Sequence, residues 1–131
     1  MTSTNRISDT QKNKAAVERF FTEIAHGRIE NLAVIDELVA EDYIQHNPYA
    51  EQGREGLRKF FTHILSLPPL ERLDHSKTLC VNIVAEGDIV VRQEIQTDGM
   101  LVDIFRVQDG ILVEHWDAYR PHPGTELIFG L

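Results

Sequence analysis

The chain has 131 residues, of which 42% are hydrophobic and 26% are charged, and its formal net charge is −8. This length and composition are typical of one globular domain with its own hydrophobic core. The acidic balance disfavours nucleic acid and anionic membranes as partners, because no cluster of Lys or Arg is present to neutralise phosphates. The sequence contains neither a signal-peptide h-region nor an apolar run of membrane-spanning length, so we expect a cytoplasmic protein.

Helical patterns dominate the first half of the sequence. Three helices are predicted, over 9–26, 31–40 and 54–67. Their apolar residues recur at the spacing of one helix face, and a proline pair ends the third. The segment 43–48 should be extended at its end, because a residue before proline is disfavoured in the helical region. We expect a single domain over 1–131, with a flexible tail at about 1–8.

Strand patterns replace the helical period in the second half. Four strands are predicted, over 72–85, 88–96, 100–107 and 111–120, with a turn dipeptide between each strand and the next. Helices followed by an antiparallel meander predict the α+β class. We expect a cone-shaped α+β barrel, in which the helices pack on a curved sheet and leave a central pocket. The single cysteine, Cys80, excludes an intrachain disulfide, and its apolar neighbours predict a buried thiol.

The last predicted hairpin breaks the apolar pattern of a packed sheet. Its ionisable residues are Asp103, His115 and Asp117. Buried ionisable groups are costly unless they are paired or used, so function is expected to lie here.

The turn at 109–110 decides which side chains of this hairpin share a face. A three-residue loop with a glycine bulge places four side chains together: Asp103, Phe105, His115 and Asp117. A two-residue loop would instead pair Asp103 with Trp116 and turn Asp117 away. We favour the bulged loop, which directs Trp116 and Arg106 to the opposite face.

The same reasoning applies to the turn at 97–99. A three-residue loop there places Gln93 beside Asp103. Arg92 and Glu94 then point to the opposite face, which we expect to be exposed or to contact a second subunit.

Two motifs carry a family resemblance. The segment 43–48 reads Tyr-Ile-Gln-His-Asn-Pro and is followed by Gly53 and the pair Phe60-Phe61. Together with the hairpin 103–117, it resembles the SnoaL-like polyketide cyclases. This family belongs to the nuclear transport factor 2-like superfamily, which also holds ketosteroid isomerases and limonene-epoxide hydrolases. The resemblance covers about 14–119, and its motifs are specific for the family but uninformative about substrate.

The resemblance implies a deep apolar pocket, no cofactor, no metal and a homodimer formed through the sheet. In the cyclases an aspartate on the last strand is the acid/base of an intramolecular aldol closure, which implies this role for Asp117. His115 or Asp103 would tune it. The structural alternative is an Asp117 that pairs with Arg120 or bonds backbone amides.

Seven residues are predicted to bind the substrate: Tyr43, His46, Phe61, His63, Gln93, Phe105 and Trp116. Tyr43 is expected to donate a hydrogen bond to an enolate oxygen, although such a residue is more often a core aromatic. Trp116 is more often a pocket wall or a core residue than a catalytic group. Histidines and an aspartate could hold a metal ion, but no motif with metal-ligand spacing occurs, so no metal is expected.

Three functions remain open, and the sequence does not establish that the protein is an enzyme. The leading hypothesis is a cofactor-independent enzyme that binds an apolar, carbonyl-bearing small molecule and transfers a proton or closes a ring by aldol chemistry. The second is a non-catalytic ligand-binding or sensing dimer, favoured if aromatic side chains fill the pocket or Asp117 pairs with Arg120. The third is epoxide hydrolysis, which needs an arginine beside the two aspartates, whereas the favoured register places Arg92 and Arg106 opposite.

Overall fold

The computed structural model describes residues 2–68 and 75–122, with side chains over 9–68 and 76–122. Its helices are α1 (Thr2–Phe20), α2 (Ile35–Leu38) and α3 (Gly53–Ser66), with a π-helical turn over Phe21–Ala25 and 3-10 helices over Ile29–Val34 and His75–Lys77. Its strands are β1 (Val39–Gln45), β2 (Thr78–Glu86), β3 (Ile89–Gln96), β4 (Gly99–Gln108) and β5 (Ile111–Pro121). None of the helices in this part of the chain combines the length and the apolar character that a membrane span requires.

The five strands form one mixed sheet in the order β1-β5-β4-β3-β2. The last four strands are the antiparallel meander that the sequence predicts, and the helices pack against the sheet, which confirms the α+β class. β1 was not predicted as a strand, since the segment expected to be extended, 43–48, overlaps only its end. Among the described strands it is the one that pairs in parallel, with β5. A parallel neighbour requires a long connection, and here α3 and the meander provide it.

The helix predictions agree with the structure in position and differ at the ends. α1 begins at Thr2, so residues 2–8 of the segment predicted as a flexible tail are helical, and only the mobility of the tail stays a prediction. The second predicted helix, 31–40, is divided between the end of a 3-10 helix and α2, and its last two residues begin β1. α3 agrees within one residue. Of the predicted strand 72–85, residues 72–74 lie outside the described residues.

The core lies between the helices and one face of the sheet, called here the inner face. Phe20 is its aromatic centre, with edge-on contacts to Phe21, Phe61 and Phe105 at centroid distances of 5.3, 5.7 and 5.5 Å. Aromatic pairs of this geometry contribute about 0.5–1.5 kcal/mol beyond the burial of their area. Helix and sheet are therefore joined by one aromatic cluster.

The β4–β5 turn differs from the predicted loop. Asp109 and Gly110 both have positive φ, 53° and 77°, which is the type I′ geometry of a two-residue loop. Gln108 accordingly pairs with Ile111. The predicted three-residue loop is wrong at this position.

A bulge near the turn nevertheless restores the predicted face. The register shifts between Arg106 and Val107, and from there Phe105 pairs with His115 and Asp103 with Asp117. Because the turn and the bulge together displace the register by an even number of residues, all four side chains lie on the inner face as predicted.

The β3–β4 turn is also a two-residue loop, and here no bulge compensates. Arg92 pairs with Asp103, and Gln93 pairs with Val102 on the outer face. The prediction that Gln93 lies beside Asp103 is therefore wrong, since a slip of one residue exchanges the two faces. Arg92 and Glu94 were expected on the exposed or subunit-facing side, and instead they lie on the inner face and are only 6% and 3% exposed.

The prediction of a buried Cys80 is also wrong. β2 is an edge strand of the sheet, and Cys80 is exposed on it. Its neighbour Leu79 is likewise exposed.

Candidate active site

A cavity of about 180 Å³ lies between the helices and the inner face of the sheet. Its apolar walls include Phe20, Phe21, Leu57, Phe60, Phe61 and Leu101, and its polar side is formed by Tyr43, Gln45, Asn47, Asp103, His115 and Asp117. Drug-sized ligands occupy pockets of about 300–1,000 Å³, whereas a cavity of about 150 Å³ binds benzene. The enclosed space therefore suits a ligand with about one ring.

Asp103 and His115 form a buried pair on this cavity, at 6% and 7% exposure. The Nε2 atom of His115 lies 2.8 Å from Oδ1 of Asp103, and its Nδ1 atom lies 2.8 Å from Oε1 of Gln45. The second carboxylate oxygen of Asp103, Oδ2, is buried and has no hydrogen-bond partner among the described residues. Buried polar atoms are normally partnered, so this oxygen is available to a bound molecule.

Tyr43 presents a second unpaired polar atom to the same cavity. It is 1% exposed, and its hydroxyl also has no hydrogen-bond partner within the described ranges. Burial raises the pKa of the Tyr43 phenol far above its ordinary value, the charges of Asp103 and Asp117 raise it further, and the neighbouring Gln45 side chain offsets only part of this rise. The phenol therefore keeps its proton and can act as a donor.

Asp117 lies at the exposed mouth of the cavity, opposite Asp103 in the register. Nδ2 of Asn47 donates to its Oδ2 atom over 3.1 Å. Asn47 is itself oriented, because its Oδ1 atom accepts from the backbone N–H of Tyr49 over 2.8 Å. In the described part of the chain no ion pair joins Asp117 to Arg120. The site thus has one buried carboxylate and one at the entrance.

The same three ionisable residues are also the candidate metal ligands. Donor atoms of Asp103, His115 and Asp117 lie within 4.8 Å of one another, and two carboxylates with an imidazole can bind a divalent cation. Both ring nitrogens of His115 already form hydrogen bonds, so a cation would have to displace Asp103 from Nε2. A site without metal stays a prediction.

Two of the predicted substrate-binding residues lie outside the cavity. The rings of His46 and Trp116 stack with a centroid distance of 4.9 Å and an interplanar angle of 5°. Nε2 of His46 also lies 2.8 Å from the carboxylate of Glu114, and this hydrogen bond, with help from Arg106, lowers the pKa of Glu114. Trp116 faces away from Asp103, as the favoured register predicts, and is not among the residues that line the cavity.

Three other residues that were predicted to bind substrate also do not line the cavity. Gln93 bonds Asn82 on the outer face, and His63 is an exposed residue of a separate surface groove. Phe105 is fully buried behind the ring of His115, at a centroid distance of 4.6 Å, and supports it rather than lining the cavity. Of the seven residues predicted to bind substrate, Tyr43 and Phe61 line the cavity.

Gln45 and Asn47 were not predicted. Tyr43 and Gln45 are alternate residues at the end of β1, and Asn47 follows two residues beyond it. Alternate residues of a strand share a face. That period of two could have identified them had the segment been assigned as a strand.

Arg92 and Glu94 form a second buried polar group on the inner face. Nη1 of Arg92 donates to Glu94 over 2.7 Å, and its guanidinium lies 3.9 Å from the ring centroid of Phe21. Burial alone would raise the pKa of Glu94, but hydrogen bonds from Thr78, Gln96 and Arg92 outweigh it and lower the pKa to about 2. Glu94 therefore stays ionised beside the site.

Comparisons with known proteins identify the family and agree with the fold. The model of the SnoaL-like domain family matches residues 17–115. No protein of curated function matches the sequence significantly.

Solved structures share the fold at low sequence identity. A candidate SnoaL-like polyketide cyclase from Jannaschia sp. CCS1 is 20% identical, with a TM-score of 0.61, over 84% of this chain and 86% of that one. An LEH-like epoxide hydrolase from M. tuberculosis is 16% identical, with a TM-score of 0.57, over 86% and 85%. A candidate ketosteroid isomerase from Kribbella flavida is 22% identical, with a TM-score of 0.54, over 90% and 87%. These likenesses establish a shared fold and leave the reaction open.

Proposed function

Because the chain belongs to the SnoaL-like domain family, we propose that it is a cofactor-independent enzyme that transfers a proton next to the carbonyl group of a small apolar molecule. The observation that carries this proposal is the buried, unpartnered Oδ2 atom of Asp103 in a cavity whose walls are mainly apolar. Leaving a buried acceptor unpaired costs about 1–3 kcal/mol. Such a cost is expected where the missing partner is the substrate.

In the proposed reaction Asp103 is the base. Its Oδ2 atom takes a proton from the carbon next to the carbonyl group, while His115 holds Oδ1. The electron pair of the broken C–H bond moves to the carbonyl oxygen, where the Tyr43 hydroxyl stabilises the developing charge. Return of the proton to another carbon would complete an isomerisation, and attack of the enolate carbon on a second carbonyl group would close a ring.

Asp117 is assigned a second role in this scheme. The resemblance implies that it is the acid/base, and its place at the mouth supports proton exchange between the cavity and water. It could also protonate the oxygen that an aldol closure leaves negative. Asp103 and Asp117 would thus divide between them the work that the sequence assigned to Asp117.

The proposal is tested with a probe ketone of the size of the cavity. Acetophenone in D₂O should exchange its methyl protons faster in the presence of the protein, as measured by proton NMR. Asp103→Asn should reduce this exchange by about a hundredfold or more, because an amide cannot accept the proton. Asp88→Asn is the matched control, since Asp88 forms only a half-exposed ion pair with Arg106. Exchange that is unchanged in Asp103→Asn would exclude Asp103 as the base.

Epoxide hydrolysis is the second candidate, and one observation favours it. Arg92 lies opposite Asp103 on the inner face, whereas the register favoured from sequence placed it on the other face. In this reaction the two aspartates would activate water and Tyr43 would donate to the epoxide oxygen. The guanidinium of Arg92 contacts Glu94 and Phe21, however, and does not line the cavity. Conversion of styrene oxide to its diol, without exchange of acetophenone, would favour this function.

The non-catalytic alternative has less support. Its two criteria were a pocket filled by aromatic side chains and an ion pair between Asp117 and Arg120. The cavity instead retains about 180 Å³, and Asp117 accepts a hydrogen bond from Asn47. Both observations support a site in which the carboxylates meet a ligand.

A further inference from the structure

We propose that Gln45 is a positioning residue, which keeps a proton on Nδ1 of His115 so that Nε2 and Asp103 share one additional proton. Gln45 is 6% exposed and lies at the end of β1, beside the cavity. The protonation pattern can be tested on its own, whereas its catalytic consequence rests on the proposed function.

The backbone determines which way the amide of Gln45 points. The N–H of Asn47 donates to Oε1 of Gln45 over 3.0 Å. A backbone N–H can only donate, so the amide oxygen, and not the NH₂ group, must occupy this position. The same oxygen lies 2.8 Å from Nδ1 of His115. An oxygen cannot donate, so Nδ1 carries the proton of this hydrogen bond.

The opposite side of the ring then requires a second proton. Nε2 of His115 lies 2.8 Å from a carboxylate oxygen of Asp103. With Nδ1 protonated, a neutral imidazole would present a lone pair to this oxygen, and two lone pairs repel at such a distance. One proton must therefore lie between Nε2 and Asp103. The pair is either an imidazolium with a carboxylate or a neutral imidazole with a carboxylic acid.

Both forms have no net charge, which explains how the pair can be buried. A lone carboxylate in this aromatic cavity would be expensive, whereas a hydrogen-bonded pair of zero net charge avoids most of that cost. When Asp103 accepts a proton from the substrate, the pair gains one positive charge, and the enolate beside Tyr43 carries the compensating negative charge. Gln45 thus favours a state in which the Asp103–His115 pair carries a net charge only while the substrate is an enolate.

A second glutamine keeps Gln45 in place. Gln52 accepts from the backbone N–H of Gln45 over 2.9 Å and donates to its backbone carbonyl over 2.6 Å. Gln52 is the residue before α3, so its side chain joins α3 to the end of β1. The backbone of Gln45 is therefore held in place, and the hydrogen bond from the Asn47 N–H orients its amide toward His115.

The direct test is nitrogen-15 NMR of the histidine ring at pH 7, in protein labelled at histidine and with His115 assigned by the loss of its signals in His115→Asn. We expect a protonated Nδ1 in the wild type. In Gln45→Leu the acceptor is lost, so the proton should leave Nδ1 and Nδ1 should show an unprotonated signal. Gln45→Glu keeps an acceptor oxygen and should keep Nδ1 protonated. Gln11→Leu, on the exposed surface of α1, is the matched control and should resemble the wild type.

Two results would overturn the assignment. One is an unprotonated Nδ1 in the wild type, which needs no variant and is independent of folding. The other is a Gln45→Leu variant that folds and keeps Nδ1 protonated.

Kinetics separate this assignment from the proposed function. Acetophenone exchange should fall about tenfold in kcat in Gln45→Leu, with KM within about twofold, and should recover in Gln45→Glu, because one hydrogen bond of about 1.4 kcal/mol is lost and restored. Equal losses in both variants would argue for a merely structural role. A protonated Nδ1 without any exchange by the wild type would refute the proposed function and leave the role of Gln45 in place.

Discussion

Replacing Tyr43 by Phe should stabilise the fold and impair catalysis at the same time. The change removes a single oxygen atom, and the ring keeps its place in the core, where Tyr43 is 1% exposed. Its hydroxyl has no hydrogen-bond partner in the part of the chain that the structure describes. Removing a buried, unpaired polar group also removes its desolvation cost.

The size of both effects follows from this geometry. An unpaired buried hydroxyl costs about 1–3 kcal/mol, of which the small void left by the oxygen takes back a part, so the free energy of unfolding should rise by about 1 kcal/mol. For a domain of this length that raises Tm by about 4 °C. Loss of an oxyanion donor should lower kcat by about a hundredfold, or roughly 2.7 kcal/mol in activation free energy. The two changes therefore have opposite consequences for the protein.

The assay pairs thermal unfolding with acetophenone exchange for the wild type, Tyr43→Phe and Tyr49→Phe. Tyr49 is 87% exposed, so removal of its hydroxyl should change stability by less than about 0.5 kcal/mol. A Tyr43→Phe variant that is less stable than the wild type would show that the hydroxyl forms a hydrogen bond in the folded protein. A more stable variant with unchanged exchange would remove Tyr43 from the reaction.

Three further predictions concern stability, specificity and assembly. The pKa of Glu94 is lowered from 4.5 to about 2 on folding, so its contribution to the free energy of unfolding is present above pH 4.5 and is lost as the pH falls to 2. In denaturant unfolding the wild type should therefore lose about 3 kcal/mol more stability between pH 6 and pH 2 than Glu94→Gln. Equal losses in the two proteins would show that Glu94 is not the source of this pH dependence. Phe60 borders both the cavity and the groove that contains His63, so Phe60→Ala should raise kcat/KM for butyrophenone relative to acetophenone about tenfold, whereas His63→Ala should leave the ratio unchanged. The homodimer remains a prediction. Ile104 pairs with Trp116 on the outer face of the sheet, so Ile104→Glu should convert the dimer to a monomer in light scattering. A monomeric wild type would refute the predicted dimer.

Local sequence patterns were sufficient to predict an element where only one of its faces packs on the core. The apolar spacing of 54–67 predicted α3 within one residue, because an amphipathic helix on a core needs one apolar face. The shared face of four side chains of the last hairpin was also predicted correctly, but from a loop length that the structure contradicts and a bulge compensates. Local patterns failed for the second predicted helix, whose final residues join β5 as strand β1. That pairing lies far along the chain, and the pattern of residues 31–40 contains no sign of it.

Turn geometry explains the errors within the sheet. Both hairpin loops have two residues where three were predicted, and a bulge corrected the first but not the second. Asp103 was therefore assigned to the correct face, while Gln93 and Arg92 were exchanged. A displacement by one residue moves every side chain of a strand to the opposite face. An error of one residue in the loop length therefore reverses the prediction of which side chains line the site.

The α+β class, the family and the three ionisable residues of the hairpin could all be predicted from the sequence, because period, turn residues and motifs are local properties of the chain. The differences among these three residues arise from the fold. It buries Asp103 with His115, leaves Asp117 at the mouth, and brings Gln45 from β1 against the ring. Burial and hydrogen-bond partners depend on elements distant in sequence, and these alone distinguish the buried carboxylate of Asp103 from the carboxylate of Asp117 in contact with water.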